Sequence, residues 1–261
     1  MNIILSITLS LLLTILAYIK KALTTSALLC AFIFACLITY FGGIISYLIL
    51  VLVFLGTLIG NKIGAIKKIE INHDIIKKPH KKDIYQILAN VGLGTLFIII
   101  YGFTNNFIYL IIYASIMAES LSDSLASDIG VLSKRPPINI LTFKKSIKGL
   151  SGNISLLGIC LSLIGSLIIS SIFYIFYHQF SSFLAILLSG FLGTIVDSVL
   201  GSTIQVKYKC QKCLQITERE EHCQIKTKYY KGFKFINNDC VNFLSNVSTS
   251  IISYIIIILI K

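Results

Sequence analysis

The sequence predicts an all-α, polytopic integral membrane protein: a helix bundle with about eight transmembrane helices. Of its 261 residues, 56% are hydrophobic and 13% are charged, whereas a soluble domain has about 25% charged residues. The apolar residues form runs of about 18 or more, the length that crosses the hydrocarbon core of a bilayer. The alternating segments of about 10 residues that are typical of a transmembrane β-barrel are absent from the sequence.

The apolar runs define the predicted helices in order. The first run lacks the basic segment and the small-residue cleavage site of a signal peptide, so we expect it to be a retained helix. Short turns without Lys or Arg follow three of the runs, at Gly42-Gly43, Asn105-Asn106 and His178-Gln179. We predict a single membrane domain over residues 1–261, with spans at 3–19, 22–40, 44–60, 84–102, 107–128, 152–177, 181–203 and 242–260.

The net charge of +12 is concentrated in the other four connections. Lys20-Lys21, the 61–83 loop, the 129–151 loop and the 204–240 loop together hold every Lys and Arg except Lys261. Basic connections face the cytoplasm in membrane proteins, so we expect these four loops inside and both termini outside. Because the positive charge lies between apolar spans, it indicates membrane topology and not nucleic-acid binding.

Four acidic residues fall inside or at the ends of the predicted spans: Glu119, Asp123, Asp128 and Asp197. A carboxylate at the centre of a bilayer costs about 2.5–3.5 kcal/mol on insertion scales. Glu119 and Asp123 are four residues apart and therefore share one helix face. Three interpretations stay open: the acids pair with Lys in neighbouring loops, they form a proton or ion pathway, or they hold Mg²⁺, which favours carboxylates together with substrate phosphate.

A basic, glycine-containing segment at residues 142–155 follows the first acid group. It places Lys144, Lys145 and Lys148 just before the sixth predicted helix. The lysines alone could serve only to determine topology. A helix N-terminus, however, is a ready anion site, and glycines let the backbone approach a phosphate closely. Together with the acids, the segment predicts a metal–phosphate site at the cytoplasmic boundary of the membrane.

The order of these segments resembles the integral membrane family of domain of unknown function 92, which includes transmembrane protein 19 and the plant phytyl-phosphate kinase. The likeness runs from about residue 60 to the C-terminus and is carried by residues 86–92, 119–130, 142–155, 197–205 and 237–243. Val91 stands where Gly is expected. A more distant likeness to phosphatidate cytidylyltransferases follows from the order of Asp123, the 137–149 loop and the 197–209 segment, with Lys148 in the place of a Glu.

The resemblance implies a nucleotide-dependent transferase acting on a lipid phosphate, and on that hypothesis we assign roles to the predicted site. Asp123 and Asp197 hold Mg²⁺, and with Lys148 they form the catalytic set. Asn90 and Asn242 orient the substrate from neighbouring helices, assisted by Glu119 and Asp128. Phosphate binding falls to five residues: Lys144, Lys145, Gly149, Ser151 and Gly152.

A cysteine and histidine group lies in the last basic loop, as Cys210-x-x-Cys213 and His222-Cys223. These four side chains could form a tetrahedral Zn²⁺ site. Free thiols and redox chemistry are the alternatives, and a reducing cytoplasm disfavours a disulfide. A zinc ion here would be structural and not catalytic.

The favoured function is a CTP- or ATP-dependent transferase, a lipid-phosphate kinase or a cytidylyltransferase-like enzyme, acting on an isoprenoid phosphate at the cytoplasmic membrane face. Its expected partners are the bilayer, a nucleotide and a lipid phosphate; no oligomeric state is predicted. The rival is a transporter or channel that uses Glu119, Asp123 and Asp197. A transport pathway needs polar residues that continue toward the outside, and the outer halves of the spans are nearly all Ile, Leu and Phe. A non-catalytic scaffold would leave the acids unexplained.

Overall fold

The computed structural model describes residues 2–72, of which 65–72 by backbone alone, and residues 81–260. Helices make up most of the chain. The third helix continues through a π-helical segment, Leu88–Gly92, into the fourth. The α-helices are α1 (Ile3–Ile19), α2 (Thr25–Asn72), α3 (Ile84–Ile87), α4 (Leu93–Thr104), α5 (Phe107–Ile129), α6 (Leu156–Tyr177), α7 (Phe180–Thr203) and α8 (Asn238–Ile260).

Polar residues next to the apolar runs set the helix ends. Asn106 precedes α5 and accepts a hydrogen bond from the backbone N–H of Ile108, at 3.1 Å. Ser155 precedes α6 and accepts one from Gly158, also at 3.1 Å. Asn105 and His178 end α4 and α6 in the left-handed conformation. These caps satisfy backbone groups that a helix end leaves without intrahelical partners.

Helix α2 contains two of the predicted spans, on either side of Gly43, whose φ of 74° interrupts the helix. An unbroken helix would separate Ala27 from Phe54 by about 40 Å. Instead, Phe54 packs against the small core cluster that holds Ala27 and Leu23. The chain therefore reverses direction at Gly43, a conformation that glycine adopts without the cost of a Cβ.

Six helices in the described part of the chain are long and apolar enough to cross a membrane, with the whole of Thr25–Gly64 counted as one of them. Helix α1 is apolar but has only 17 residues. The all-α membrane bundle is thus confirmed, while the count of eight crossings stays a prediction. The predicted 61–83 loop is wrong in its first part, because α2 continues to Asn72. The span predicted to begin at residue 152 begins at Leu156, since residues 153–154 form a strand.

Helix α5 is the centre of the bundle. In the apolar stretch of this helix that could cross a membrane, 78% of the residues are buried, against 22–39% in the corresponding stretches of the five other candidate spans. Side-chain hydrogen bonds to neighbouring helices supplement its apolar packing, as is common between membrane helices. The Tyr113 hydroxyl donates to the backbone oxygen of Ser46 at 2.7 Å, and the hydroxyls of Ser115 and Ser253 lie 2.9 Å apart.

Short strands form in two of the loops. In the loop before α6, β1 (Ile138–Asn139) pairs antiparallel with β2 (Asn153–Ile154). The loop before α8 carries a three-stranded sheet in the order β4–β3–β7 and a hairpin of β5 and β6. These strands are β3 (Lys207–Lys209), β4 (Ile216–Thr217), β5 (Glu221–His222), β6 (Ile225–Lys226) and β7 (Lys228–Lys231).

The four basic connections meet at one end of the bundle. Leu23, after the first connection, forms a bridge with Lys82 at the end of the second. Lys82 in turn lines one cavity together with residues of the 129–151 and 204–240 loops. Residues 73–80 of the second connection lie outside the described part. The positive charge of these connections therefore lies on a single side of the bundle.

Candidate functional site

A cavity of about 630 Å³ opens at the end of the bundle where the basic connections meet. We call it the polar cavity. Helices α5 and α7 end at it, and the π-helical segment and the starts of α6 and α8 complete its wall. Three lysines line it (Lys82, Lys148 and Lys234), and six acids face them (Asp83, Asp123, Asp128, Asp197, Glu218 and Glu220). The wall is therefore acidic on balance, although the chain as a whole carries a charge of +12.

Two of the acids predicted to hold a metal, Asp123 on α5 and Asp197 on α7, line the polar cavity together. Their carboxyl groups are close enough to interact electrostatically, and both also interact with the carboxyl of Glu119. Glu119 is buried one turn deeper and accepts a hydrogen bond from Ser245 on α8, at 2.7 Å. Carboxylate oxygens gathered in this way suit a divalent cation such as Mg²⁺.

Glycine permits this gathering of helices. A Cβ atom at Gly193 of α7 would lie 2.7 Å from the Cγ atom of Glu119, closer than packed carbon atoms approach. The same hypothetical atom would collide with the hydroxyl of Thr249 on α8. Because Gly193 has no side chain, α7 comes close to both α5 and α8, and Asp197 lies one turn further along.

Asn242 on α8 joins the two residues predicted to lie near it. One end of its amide is 3.2 Å from the Asn90 side chain. When the oxygen and nitrogen of the Asn242 amide are exchanged, its nitrogen donates to the backbone oxygen of Asn238 at 3.0 Å and to Oδ2 of Asp197 at 3.2 Å. This second orientation is the better one, because a carboxylate can only accept there. Asn242 thus holds the Asp197 carboxylate in place.

Asn90 lies in the π-helical segment, whose backbone makes contacts with the neighbouring helices. Widening the helix removes backbone oxygens from the regular hydrogen-bond pattern. Two of these oxygens accept from neighbouring helices instead: that of Asn90 from the Ser120 hydroxyl, at 2.9 Å, and that of Ala89 from the Asn246 amide, at 2.8 Å. The segment is therefore tied to α5 and α8, the helices that carry Asp123 and Asn242.

The predicted phosphate-binding loop is divided between the cavity and the surface. Lys148, Gly149, Ser151 and Gly152 line the polar cavity. Lys144 and Lys145 are exposed and lie outside its wall. Lys148 donates through Nζ to the backbone oxygen of Ser133.

Gly152 has a φ of +84°, and a Cβ on it would lie 2.5 Å from the Cα of Ser202. The same loop is anchored by Asn139, whose amide donates to the Ser202 hydroxyl at 2.7 Å. These contacts fix the loop against α7.

Ser151 is held from both sides by the 204–240 loop. Its backbone N–H donates to Oε1 of Glu218 at 2.9 Å, and its backbone oxygen accepts from Nζ of Lys207 at 2.5 Å. Burial raises the pKa of Glu218. Burial also lowers the pKa of Lys207 to about 8, with a further contribution from Lys231. Ser151, predicted to bind a phosphate, therefore directs its N–H to a carboxylate in this structure.

Sequence reasoning missed Glu218, Lys207, Lys82 and Asn139. Glu218 lies in a run of charged residues, 218–221, that reads as a solvated loop, and nothing in its neighbours distinguishes it from Glu221. Lys82 belongs to a connection that we used only to assign topology. Asp128, five residues after Asp123 and one residue before the end of α5, also reaches the cavity wall.

The four Cys and His side chains of the last loop converge, away from the polar cavity. Their potential ligand atoms all lie within 4.8 Å of one another. Sulfur atoms on one tetrahedral Zn²⁺ ion would be about 3.8 Å apart, given Zn–S bonds of about 2.3 Å. Nδ1 of His222 is 3.4 Å from the Cys213 sulfur and 3.2 Å from the Cys223 sulfur. The donor set and its spacing fit zinc.

Adjacent His and Cys ligands can converge here because of the turn between β5 and β6. Its two central residues, Cys223 and Gln224, have φ values of 53° and 63°, as a type I′ hairpin turn requires. Neither is glycine, so the backbone is strained at the position that brings Cys223 back toward His222. On the other side of the group, hydrogen bonds from the backbone N–H groups of Cys213 and Lys212 lower the pKa of the Cys210 thiol to about 6.

Comparisons with known proteins give the chain a family. Residues 8–250 match the integral membrane protein family DUF92, further toward the N-terminus than the likeness we described from residue 60 onward. An uncharacterized membrane protein of Methanocaldococcus jannaschii is 32% identical over 178 residues, covering 66% of this chain and 70% of the relative. Protein PGR of Arabidopsis thaliana is 29% identical over 145 residues, covering 51% of this chain and 49% of the relative. No solved structure matches. Since the family match covers nearly the whole sequence, the chain belongs to the DUF92 family of integral membrane proteins.

Proposed function

We propose that this protein is a transferase that uses a nucleotide, CTP or ATP, to modify a lipid phosphate of the isoprenoid type at the cytoplasmic face of the membrane. The observation that carries the proposal is the polar cavity, which Asp123, Asp197 and Lys148 line together at the end of a membrane bundle. Carboxylates for a cation and an ammonium group for phosphate are the parts that phosphoryl transfer needs. The likeness to lipid-phosphate kinases and cytidylyltransferases points the same way.

In the proposed reaction an oxygen of the lipid phosphate forms a P–O bond with a phosphorus atom of the nucleotide, and a phosphoanhydride bond breaks. A nucleoside diphosphate leaves if the terminal phosphoryl group moves, and pyrophosphate leaves if the nucleotidyl group moves. Mg²⁺ held by Asp123 and Asp197 would neutralise charge on the nucleotide phosphates. Asn242 fixes the direction of the Asp197 carboxylate, and Lys148 supplies positive charge from the opposite loop.

The arrangement of polar side chains favours an enzyme over a transporter. From the cavity, polar residues continue along α8 only as far as Ser253, and they serve contacts between helices, such as that of Ser253 with Ser115. Beyond that level the buried polar groups are scattered hydroxyls such as that of Ser46, packed among apolar side chains such as Leu110 and Phe173, and no acid or base of the described residues is buried there. An ion pathway would need polar groups throughout the thickness of the bilayer.

The test uses purified protein in nanodiscs with Mg²⁺, prenyl monophosphates, and CTP or ATP labelled either in the base or in the terminal phosphate. We expect label in the lipid fraction that requires Mg²⁺, and the position of the label identifies the group that moves. Asp123→Asn and Asp197→Asn should abolish transfer while membrane insertion is intact. Glu221→Gln, on the exposed side of the last loop, is the matched control. Full activity in the two Asn variants would disprove the metal assignment.

A result without label from folded protein would favour transport. That alternative predicts Mg²⁺-independent movement of an ion across proteoliposomes, lost in Glu119→Gln. The two assays therefore separate the two classes of function.

We also infer a structural Zn²⁺ site at Cys210, Cys213, His222 and Cys223. Zinc bound there would hold the two hairpins of the last loop together, and that loop supplies Glu218 and Lys207 to Ser151. Its role would be to order the cavity wall and not to take part in the chemistry. Metal analysis of the purified protein, with about one zinc per chain expected, tests the inference.

A further inference from the structure

A second cavity, of about 330 Å³, lies beside the polar cavity. We call it the chain cavity. Its walls come from α1, both segments of α2, α3 and the π-helical segment, and most of them are apolar; Leu13, Ala31, Phe34 and Phe54 are examples. The size is at the lower end of the range of about 300–1,000 Å³ that small-molecule sites occupy. Helix α1, which does not line the polar cavity, and α2, which reaches it only through Asn61, thus form a second site.

The two cavities adjoin. Five residues line both: Asn61, Lys82, Gln86, Asn90 and Ser124. Two of them, Gln86 and Asn90, lie one turn apart on the α3 and π-helical stretch. A molecule in the chain cavity therefore has one end at the wall that Asp123 and Lys148 also face.

Positive charge marks the opening of the chain cavity. Lys20, Lys21, Lys62 and Lys82 line it, and its interior is apolar. The buried Oε1 atom of Gln86 has no hydrogen-bond partner among the residues that the structure describes. With the oxygen and nitrogen of the amide exchanged, the NH₂ group of Gln86 takes this position and can donate to an oxygen on a ligand. An apolar interior with ammonium and amide groups at one end matches an amphipathic anion.

We propose that the chain cavity holds the apolar chain of a single-chain lipid monophosphate, with the phosphate at the shared wall near Lys82 and Gln86. This inference rests on the proposed function, because it places the acceptor of the transfer. It also assigns a task to α1 and α2: they favour a lipid with one chain, because a cavity of about 330 Å³ is small for two.

The chain cavity serves to position the lipid and to select among lipids, and it adds little to the affinity for the lipid. A chain that leaves the bilayer for the cavity exchanges one apolar surrounding for another, so the hydrophobic effect adds little. What the cavity fixes is the register of the lipid, and with it the distance from the phosphate to the polar cavity. Such positioning is the main requirement of phosphoryl transfer.

The test is photolabelling without any nucleotide. Protein in phosphatidylcholine nanodiscs is irradiated with a single-chain alkyl phosphate that carries a diazirine in its chain, and adducts are located by peptide mass spectrometry. We expect adducts on cavity residues such as Leu13, Phe34 and Phe54. Unlabelled alkyl phosphate should compete, whereas the corresponding alkanol and diacyl phosphatidate should not. Competition by the alkanol or phosphatidate, or adducts confined to outward residues, would overturn the proposal.

A matched pair of variants makes the test specific. Ala31→Phe fills the chain cavity, and we expect about tenfold less labelling there, equivalent to about 1.4 kcal/mol in the binding free energy of the lipid. Leu29→Phe changes an outward-facing residue of the same helix, 65% exposed, and should label like the wild type. Equal labelling of both variants at the cavity residues would disprove the site.

The outcomes separate this inference from the proposed function. If the cavity is labelled specifically but the protein transfers no group from any nucleotide, the lipid site is supported and the transferase function is disproved. If Ala31→Phe transfers the group at the wild-type rate, the transferase function is supported and the lipid-binding role of the chain cavity is disproved.

Discussion

The backbone N–H of Ser151 donates a hydrogen bond to the Glu218 carboxylate, 2.9 Å from nitrogen to Oε1. The two residues belong to different loops, 67 positions apart in the chain. Ser151 follows the lysine and glycine of the loop before α6, and Glu218 follows β4 in the loop before α8. Their contact, together with that of Lys207, makes the 204–240 loop a support for the wall of the polar cavity. A change at Glu218 should therefore reach the site through Ser151.

Glu218→Ala should lower the free energy of unfolding by about 2 kcal/mol, because it leaves the partly buried N–H of Ser151 without its carboxylate acceptor. We expect transferase activity to fall as well, mainly through a higher KM for the nucleotide. Glu218→Gln retains an acceptor oxygen and should recover part of both losses. Denaturation of the protein in detergent and steady-state kinetics check this. Glu221→Ala, at an exposed position in the same loop, should be neutral, and an equal loss in that variant would contradict the assigned contact.

Asn242→Ala should raise the Mg²⁺ concentration required for half-maximal activity about tenfold. The hydrogen bond of its amide to Asp197 is one to a charged group, and such a bond contributes about 1.5–3 kcal/mol. Without it the Asp197 carboxylate is free to turn. Kinetics at saturating nucleotide over a range of Mg²⁺ concentrations provide the measurement. If the variant reached its half-maximal rate at the wild-type Mg²⁺ concentration, Asn242 would not orient a metal ligand.

The helices and part of the site follow from the sequence for simple reasons. A membrane span must be a long apolar run, so the eight runs predict where the helical segments lie, and Gly42-Gly43 predicts the reversal within α2. Helical spacing alone places Glu119 and Asp123 on one face. The position of Asp197 beside them needed the close approach of α7 to α5 at Gly193, which depends on tertiary packing.

Other parts of the site could not be predicted. The contact of Ser151 with Glu218 depends on how two loops fold over one end of the bundle, and neither loop shows an apolar periodicity that would indicate it. For the same reason the sequence places all three loop lysines at the site, whereas of the three only Lys148 lines the cavity. The sequence around Asn90 predicts regular helix and not a π-helical segment, because it contains no helix breaker before Gly92.

Gly152→Ala should destabilise the loop before α6. The residue has a φ of +84°, where a Cβ is strained, and the new methyl group would lie 2.5 Å from the Cα of Ser202. We expect a loss of about 2 kcal/mol in the free energy of unfolding, with lower activity because the cavity wall moves. Gly92→Ala is the control, since its methyl group would be 3.7 Å from the Phe34 ring, an ordinary contact. Unfolding of both variants is measured side by side.

Cys213→Ser should remove zinc from the protein. The serine hydroxyl is a much weaker ligand than a thiolate, so the metal content should fall from about one zinc per chain to near zero. Limited proteolysis should then cut the 204–240 loop faster. Cys160→Ser, on the exposed face of α6, keeps the metal and controls for the loss of a thiol. Wild-type protein without zinc after purification in the absence of chelators would rule out the site.

Lys207 predicts a specific dependence of stability on pH. Burial lowers the pKa of its ammonium group from 10.5 to about 8 in the folded protein. Between about pH 8 and pH 10.5 the unfolded chain binds more protons than the native protein, so the free energy of unfolding rises with pH. The contribution present above pH 10.5 is lost as the pH falls through about 8.

We expect Lys207→Met to remove this slope and Lys228→Met, at an exposed position on β7, to keep it. Unfolding temperatures measured across this range for both variants and the wild type isolate the contribution of Lys207, because the other groups titrate alike in all three. Parallel curves for Lys207→Met and the wild type would mean that Lys207 is not held in the buried position beneath Ser151.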